Sequence, residues 1–291
     1  MEWLERIARL QRDTAAGDRD PAHALLLLHA LGRLHKYGAQ PIRFREVEMP
    51  LGRLLTEYGP PRPARPGAAF YRLAGGLWDV TAADGSAAPG PDEEALRASD
   101  AVGRLAPAFA KELLTDPPLL GQVVRALLDL NFEPSLHAEL CAATGVRTDF
   151  AHPAAGPGPD QMMAGRQVLV AYACRCAFCG YEGWLGTTVV GVESARLRWR
   201  AFDGTDDLTN CLCLCVLHHR LLDRGVVGLT PGGMILVSRH FVGATPTARD
   251  QVLALAGRLA IAPQRGFPAP DGRNLDWHAR QVFRGPTRPA L

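Results

Sequence analysis

The sequence predicts an α+β chain in two parts: a mainly helical first domain with a short hairpin, then a smaller mixed unit built around cysteines. Three observations carry that prediction. Leucines recur at helical spacing through the first half. A stretch rich in proline and glycine interrupts the chain at 151–160. Beyond it, six of the seven cysteines fall between Cys174 and Cys215. A length of 291 residues suits two domains at ~100–200 residues each.

Leu25-Leu26-Leu27-Leu28, followed by Leu31 and Leu34 on one face, predicts a buried helix from Pro21 to His35. A second helix is expected over Phe44–Tyr58, where Gly59-Pro60-Pro61 stops it. From Pro60 to Val80, proline and glycine clusters with Phe70, Tyr71 and Trp78 predict a loop and then a hairpin turning at Gly75-Gly76. Helices resume near Asp92, and Pro117-Pro118 opens one that runs to Leu130. Ser135 is the expected N-cap of a last helix ending at Gly145, with Cys141 on its apolar side as a core residue. The domains are therefore expected at 1–150 and 161–242, joined by a linker at 151–160. Residues 243–291 carry one helical pattern, Ala248–Leu259, then a tail with Trp277 and Phe283 that should pack on the second unit.

The net charge of +2 excludes a strongly basic nucleic-acid coat but hides an asymmetry. Residues 1–160 hold 17 basic and 21 acidic side chains; residues 161–291 hold 15 and 9. The second half is the more basic. Only Lys36 and Lys111 are lysines, so the basic residues are almost all guanidinium forks, which suit phosphate. No run of about 18 apolar residues predicts a membrane span. Acids in Met1-Glu2-Trp3-Leu4-Glu5-Arg6 stand where a signal peptide would be basic, so a cytoplasmic chain with reduced thiols is expected.

In that setting the cysteines read as metal ligands. Cys176 and Cys179 form one pair; Cys215 and His218 form another 36 residues later. Two such pairs supply the four ligands of a tetrahedral zinc, and with all four positions filled by protein the site is structural. A redox pair is the weaker reading, since no βαβ pattern surrounds it. Cys211-Leu212-Cys213-Leu214-Cys215 alternates like a strand, which makes Cys213 the fallback ligand.

Around this pair the order is an apolar strand at Thr187–Val192, Glu193-Ser194-Ala195-Arg196-Leu197, a loop with Asp206-Asp207, then Asn210, a short strand and a helix. The helix begins the run His218-His219-Arg220-Leu221-Leu222-Asp223-Arg224-Gly225. This order resembles the HNH nuclease module of the McrA type, a ββα-metal fold. The resemblance implies that His218 ligates zinc, that His219 ligates a catalytic Mg²⁺ or Mn²⁺, and that Asn210 holds the catalytic loop. The ion would stabilise the leaving oxygen of a phosphodiester. The family's general-base histidine falls at Arg196, and a guanidinium cannot take a proton from water at neutral pH. Arg200 likewise stands where the subgroup usually has a histidine.

The first half carries a second likeness. The leucine run from His23 to Arg33, Phe44-Arg45-Glu46-Val47, Tyr58-Gly59-Pro60-Pro61, Phe70-Tyr71-Arg72-Leu73 and Gly76-Leu77-Trp78 are similar to the sulfur-binding domain found upstream of such HNH modules. Trp277-His278 and Val282-Phe283-Arg284-Gly285-Pro286 are similar to that family's tail. Those proteins restrict phosphorothioated DNA, so the expected partner is double-stranded DNA carrying sulfur in its backbone. Sulfur is less hydrated than oxygen, so an apolar cavity discriminates for it. The resemblance places the cavity at Ala68, Ala69, Phe70 and Tyr71, with Ala68-Ala69 replacing the family's tyrosine-proline pair. The resemblance implies a phosphate contact at His23; Arg33, Arg45 and Arg72 are candidate contacts, Arg72 first because it adjoins the cavity, while a solvated face is the default for these and for Arg43 and Arg97.

The leading expectation is thus a type IV, phosphorothioate-dependent endonuclease. One alternative is a DNA-binding protein whose nuclease module is silent, favoured by Arg196. The other is a methylcytosine-dependent nuclease, which needs a base-flipping pocket for which the sequence has no motif. One HNH site per chain would call for a homodimer to break both strands.

Overall fold

In the computed structural model, the described residues are 2–12, 18–73, 76–151 and 158–290. The chain divides into two compact units, Met1–Ala154 and Ala155–Leu291. Both mix helices with small sheets. Among the described residues no helix is long and apolar enough to cross a membrane.

The first unit opens with α1 (Glu2–Arg12), α2 (Ala22–Tyr37), a short strand β1 (Ile42–Arg43) and α3 (Phe44–Tyr58). The leucine run of α2 is fully buried, as its spacing predicts. Helix α3 runs through Pro50 and ends at Gly59. Next come α4 (Pro66–Tyr71), β2 (Trp78–Thr81), α5 (Glu93–Ala98) and β3 (Val102–Leu105). Three more helices complete the unit: α6 (Pro107–Thr115), α7 (Pro117–Asp129) and α8 (Pro134–Thr144).

Two expectations change here. The predicted loop after Pro60 contains a helical turn, α4, started by Pro66 at its first position, where a missing N–H costs nothing. The hairpin turn expected at Gly75-Gly76 falls partly outside the described residues, which omit Gly75. The aromatic strand β2 pairs with β3, about a score of residues later, and β1 pairs on the other side of β3. The middle strand is antiparallel to both, and its Gly103 leaves room for Trp78 and Phe70; a Cβ there would stand 2.2 Å from Trp78 and 2.7 Å from Phe70. Phe44, Phe70 and Trp78 stack edge-on behind it at 5.2 and 5.6 Å, and the Trp78 indole N–H donates to the Phe70 carbonyl. Helix α8 is entered from Glu133, one proline before Ser135, so Ser135 is not its cap. It ends at Gly145 in the left-handed conformation, which a glycine reaches without penalty.

Most of the expected linker, residues 152–157, lies outside the described residues. The second unit starts with α9 (Pro159–Ala171) and a projecting hairpin of β4 (Trp184–Leu185) and β5 (Thr188–Val189). The strand expected at Thr187–Val192 thus splits: its end belongs to β6 (Val192–Arg196), which pairs residue for residue with β7 (Cys211–Cys215). Helix α10 (Val216–Asp223) follows β7 without a loop and packs on both strands, and α9 also packs on the pair. A second hairpin, β8 (Val227–Leu229) with β9 (Ile235–Val237), precedes α11 (Pro246–Gln251) and α12 (Gly272–Gln281). The helical pattern Ala248–Leu259 is therefore broken after Gln251, and α12 is an element the periodicity did not announce. Val252, Leu255, Ala256 and Leu275 enter the same buried cluster as Leu212, Leu214 and Leu222, so the tail completes the core of this unit.

Candidate functional site

In the first unit, residues 18–21, the start of α2, Leu55 of α3, α4 and the proline-rich loop between α3 and α4 line an open cavity of about 760 Å³, with Asp18 and Asp20 on its wall. Pro60, Pro63 and Pro66 rule out a longer helix, and the loop bends at Pro61 and Arg62, where the Arg62 N–H donates to the Pro60 carbonyl at 2.7 Å. The wall brings together four predicted residues: His23, Ala68, Ala69 and Arg72. It adds Arg62 and Arg65, which were missed although their alternation with prolines was a signal of a rigid, exposed basic loop. Arg65 and Arg72 have no side-chain partner among the described residues. Arg62 donates to the Arg19 carbonyl at 3.0 Å and lies 3.4 Å from Asp20. Burial holds the His23 ring below its ordinary pKa against the pull of Asp20, so a neutral imidazole faces the cavity.

The remaining predicted residues of this site lie elsewhere. Phe70 is fully buried in the aromatic core behind the cavity wall, and Tyr71 points to solvent. Arg33 faces Glu46 at 3.5 Å, and Arg45 donates twice to the Arg97 carbonyl and approaches Asp100. None of the four lines the cavity.

In the second unit, the ligand atoms of Cys176, Cys179, Cys215 and His218 all lie within 4.8 Å of one another, a group able to hold a metal ion. A turn carries the first two: the Gly180 N–H donates to the Cys176 carbonyl, and the Ala177 N–H ties the turn to Cys213 on β7. The other two come from the end of β7 and the first turn of α10. Cys179 Sγ lies 3.9 Å from Cys215 Sγ, and His218 Nδ1 lies 3.4 Å from Cys176 Sγ and 3.2 Å from Cys215 Sγ. A tetrahedral zinc with ordinary bond lengths would set such edges at about 3.8 Å and about 3.5 Å. The His218 Nε2–H donates to the Gln251 carbonyl at 2.8 Å, which turns the Nδ1 lone pair toward the thiols. Hydrogen bonds from Cys179 and then Cys215 pull the Cys176 thiol well below its ordinary range, while its own thiolate pushes the Cys179 thiol up. Packed donors that compete for protons in this way suit a divalent cation. Cys213 is outside the group; burial raises its thiol to about 12, as it raises Cys211 to about 11.

Beside this cluster, His219 lies between two carboxylates. Its Nδ1 is 3.1 Å from Glu193 on β6, and its Nε2 is 3.3 Å from Asp223, one turn along α10. Burial opposes charge on the ring, yet the hydrogen bonds to Asp223 and then Glu193 raise it to about 10. Neither acid was named as a site residue, although the spacing of Asp223 from His219 was visible. Asn210 is fully buried and clamps the loop before it. Its Oδ1 accepts from the Arg198 N–H, and its Nδ2 donates to the Arg198 and Thr205 carbonyls, at 2.8–2.9 Å. Arg196 leaves β6 on the face opposite Glu193, because side chains alternate along a regularly paired strand. It donates through Nε and Nη2 to Asp206, whose other oxygen accepts from Arg200.

Residues 1–149 match the family model of the ScoMcrA-like DNA sulfur-binding domain. The chain belongs to this family. The match covers the first unit through its last α-helix, including the residues that line the cavity. One solved structure, a modification dependent TagI restriction endonuclease, is similar at 22% identity over 47% of this chain and 41% of that one, with a TM-score of 0.30. No curated protein matches this chain.

Proposed function

We propose that the chain is a modification-dependent DNA endonuclease, with the first unit choosing phosphorothioated duplex DNA and the second acting on its backbone. The observation that carries the reading is the cavity. In a family named for DNA sulfur binding, it sets the apolar wall of Ala68, Ala69, Leu55 and Pro60 beside Arg62, Arg65 and Arg72. Sulfur would rest on the apolar wall, where an ordinary phosphate oxygen loses its water without a partner. The guanidiniums would take the remaining charge.

In the second unit, β6, β7 and α10 have the order of an HNH module, and His219 is its reactive residue. Cys176, Cys179, Cys215 and His218 would hold a structural zinc. His219 Nδ1 and Glu193, an imidazole and a half-exposed carboxylate, would hold Mg²⁺ or Mn²⁺. When bound, that ion supplies Lewis-acid stabilisation of charge on the phosphate. Asp223 keeps a proton on His219 Nε2, and Nδ1 gives up its own proton when it ligates. Asn210 keeps the loop 198–209 in place. Arg196 stands at the sequence position of the family's general base but pairs with Asp206 on the face opposite Glu193, so the His219 site lacks that base and cutting is expected to be slow. Two chains acting together would break both strands.

The test compares phosphorothioated and plain duplexes of one sequence, first for binding and then for cleavage with Mn²⁺. Tighter binding and metal-dependent cutting of the sulfur duplex support the reading. Equal binding removes the sulfur preference, and preference for a methylated duplex would transfer the reading to methylcytosine. Selective binding without cutting would leave a DNA-binding protein with a silent nuclease, a reading favoured by the Arg196–Asp206 pair.

A further inference from the structure

The β4–β5 hairpin has no role in the sites above, and its tip carries Trp184 and Leu185 at 54% and 75% exposure. The other four tryptophans, Trp3, Trp78, Trp199 and Trp277, are each exposed by 8% or less. Tyr181 and Val190 at the base of the same hairpin are also exposed, so these side chains form a patch rather than isolated residues, and an exposed apolar patch marks a contact surface. The tip is exposed but its base is anchored. The Val190 N–H donates to the Gly183 carbonyl across the base, and the Cys176 N–H donates to the Tyr181 carbonyl, tying the hairpin to the turn that carries the first cysteine pair. The Val216 N–H donates to the Gly191 carbonyl, which ties it to the start of α10, the helix of His219. The hairpin is therefore a fixed projection beside the His219 site.

We propose that this hairpin is a DNA contact, with Trp184 and Leu185 packing against bases next to the bond that the second unit acts on; this rests on the function proposed above. Charge favours this partner. Residues 183–192 contain no charged side chain, Glu182 at the base is paired with Arg175 at 3.0 Å, and residues 161–291 carry 15 basic against 9 acidic groups. Size disfavours a second copy of the chain. A stable protein interface needs about 800 Å² from each partner, more than the partly exposed Tyr181, Trp184, Leu185 and Val190 of this hairpin present. Inserting an apolar side chain between base steps needs no such area, and base–aromatic stacking is sequence-tolerant. Six residues separate Thr187 at the turn from Glu193, at most about 20 Å of strand or about six base-pair steps.

All five tryptophans emit, but Trp184 is the one exposed, so the acrylamide-accessible component of the emission reports it almost alone. The experiment titrates the full chain with a labelled phosphorothioated duplex, without added Mg²⁺ or Mn²⁺, and follows label anisotropy for binding and tryptophan emission for contact. Binding should quench emission and abolish the acrylamide-accessible component. Trp184→Ala should remove that change and weaken binding about tenfold, about 1.4 kcal/mol, while Trp184→Phe retains most of the affinity and both variants keep their metal content and melting temperature. Normal binding with Trp184 still open to acrylamide overturns the hairpin contact and leaves the proposed function standing. Emission that changes with protein concentration alone, and is lost in Trp184→Ala, overturns it in favour of a second copy. No binding of any duplex overturns the proposed function and this contact with it.

Discussion

Replacing Arg65 and Arg72 together by alanine should flatten the salt dependence of DNA binding. Both guanidiniums line the cavity and neither has a side-chain partner among the described residues, so each is available to a phosphate. Each phosphate neutralised on duplex DNA contributes about −0.9 to the slope of log K against log salt, so the double variant should lose about 1.8 from that slope. Between about 50 and 200 mM salt one contact is a factor of about 3.5 and two are a factor of about 12. Arg62→Ala should lose less, because Asp20 and the Arg19 carbonyl already occupy part of its fork. The assay is anisotropy of a labelled phosphorothioated duplex over a salt series. Arg33→Ala and Arg45→Ala are the controls, since Glu46 and the Arg97 carbonyl hold these side chains away from the cavity. A double variant that keeps its slope within about 0.3, or a control that loses as much as the double variant, would refute the placement of the phosphate contacts.

Two further outcomes follow from the second unit. Cys176→Ser should abolish zinc binding and the cooperative melting of residues 155–291, because a structural zinc contributes folding free energy directly. Cys213→Ser should retain one zinc per chain; metal analysis showing the reverse would exchange the two ligands. Arg196→His should leave Mn²⁺-dependent cleavage of a phosphorothioated duplex within about threefold of the wild type, because position 196 faces away from Glu193 and His219. A rise of about a hundredfold, the ordinary contribution of a general base, would show that position 196 reaches the metal site after all.

Local signals made much of this protein legible. The leucine run of α2 had to be core, and Phe44–Tyr58 had to end at Gly59-Pro60, because both rest on periodicity and on backbone groups that glycine and proline alter in place. The metal group was legible for the same reason: each ligand pair lies within one turn of chain, so spacing alone sets the distance between its members. The strand partners were not legible. Trp78–Thr81 looked like half of a local hairpin, but its partner is Val102–Leu105, and the close approach of the Trp78 indole to Gly103 is a contact between positions far apart in the chain. The tail's share in the second core was hidden likewise, since Leu275 has no apolar periodicity around it.

For function, the sequence by itself determined which chemistry was present: four metal donors, a histidine beside them, and arginines near an apolar stretch. Tertiary structure decided which groups meet. It put His219 between Glu193 and Asp223, turned Arg196 to Asp206, moved Phe70 into the core, and chose Arg62 and Arg65 over Arg33 and Arg45 for the cavity. The physical reason is that residue type and spacing specify what a side chain can bond. Strand register, helix face and competition from neighbouring carboxylates and carbonyls then decide which partner it takes.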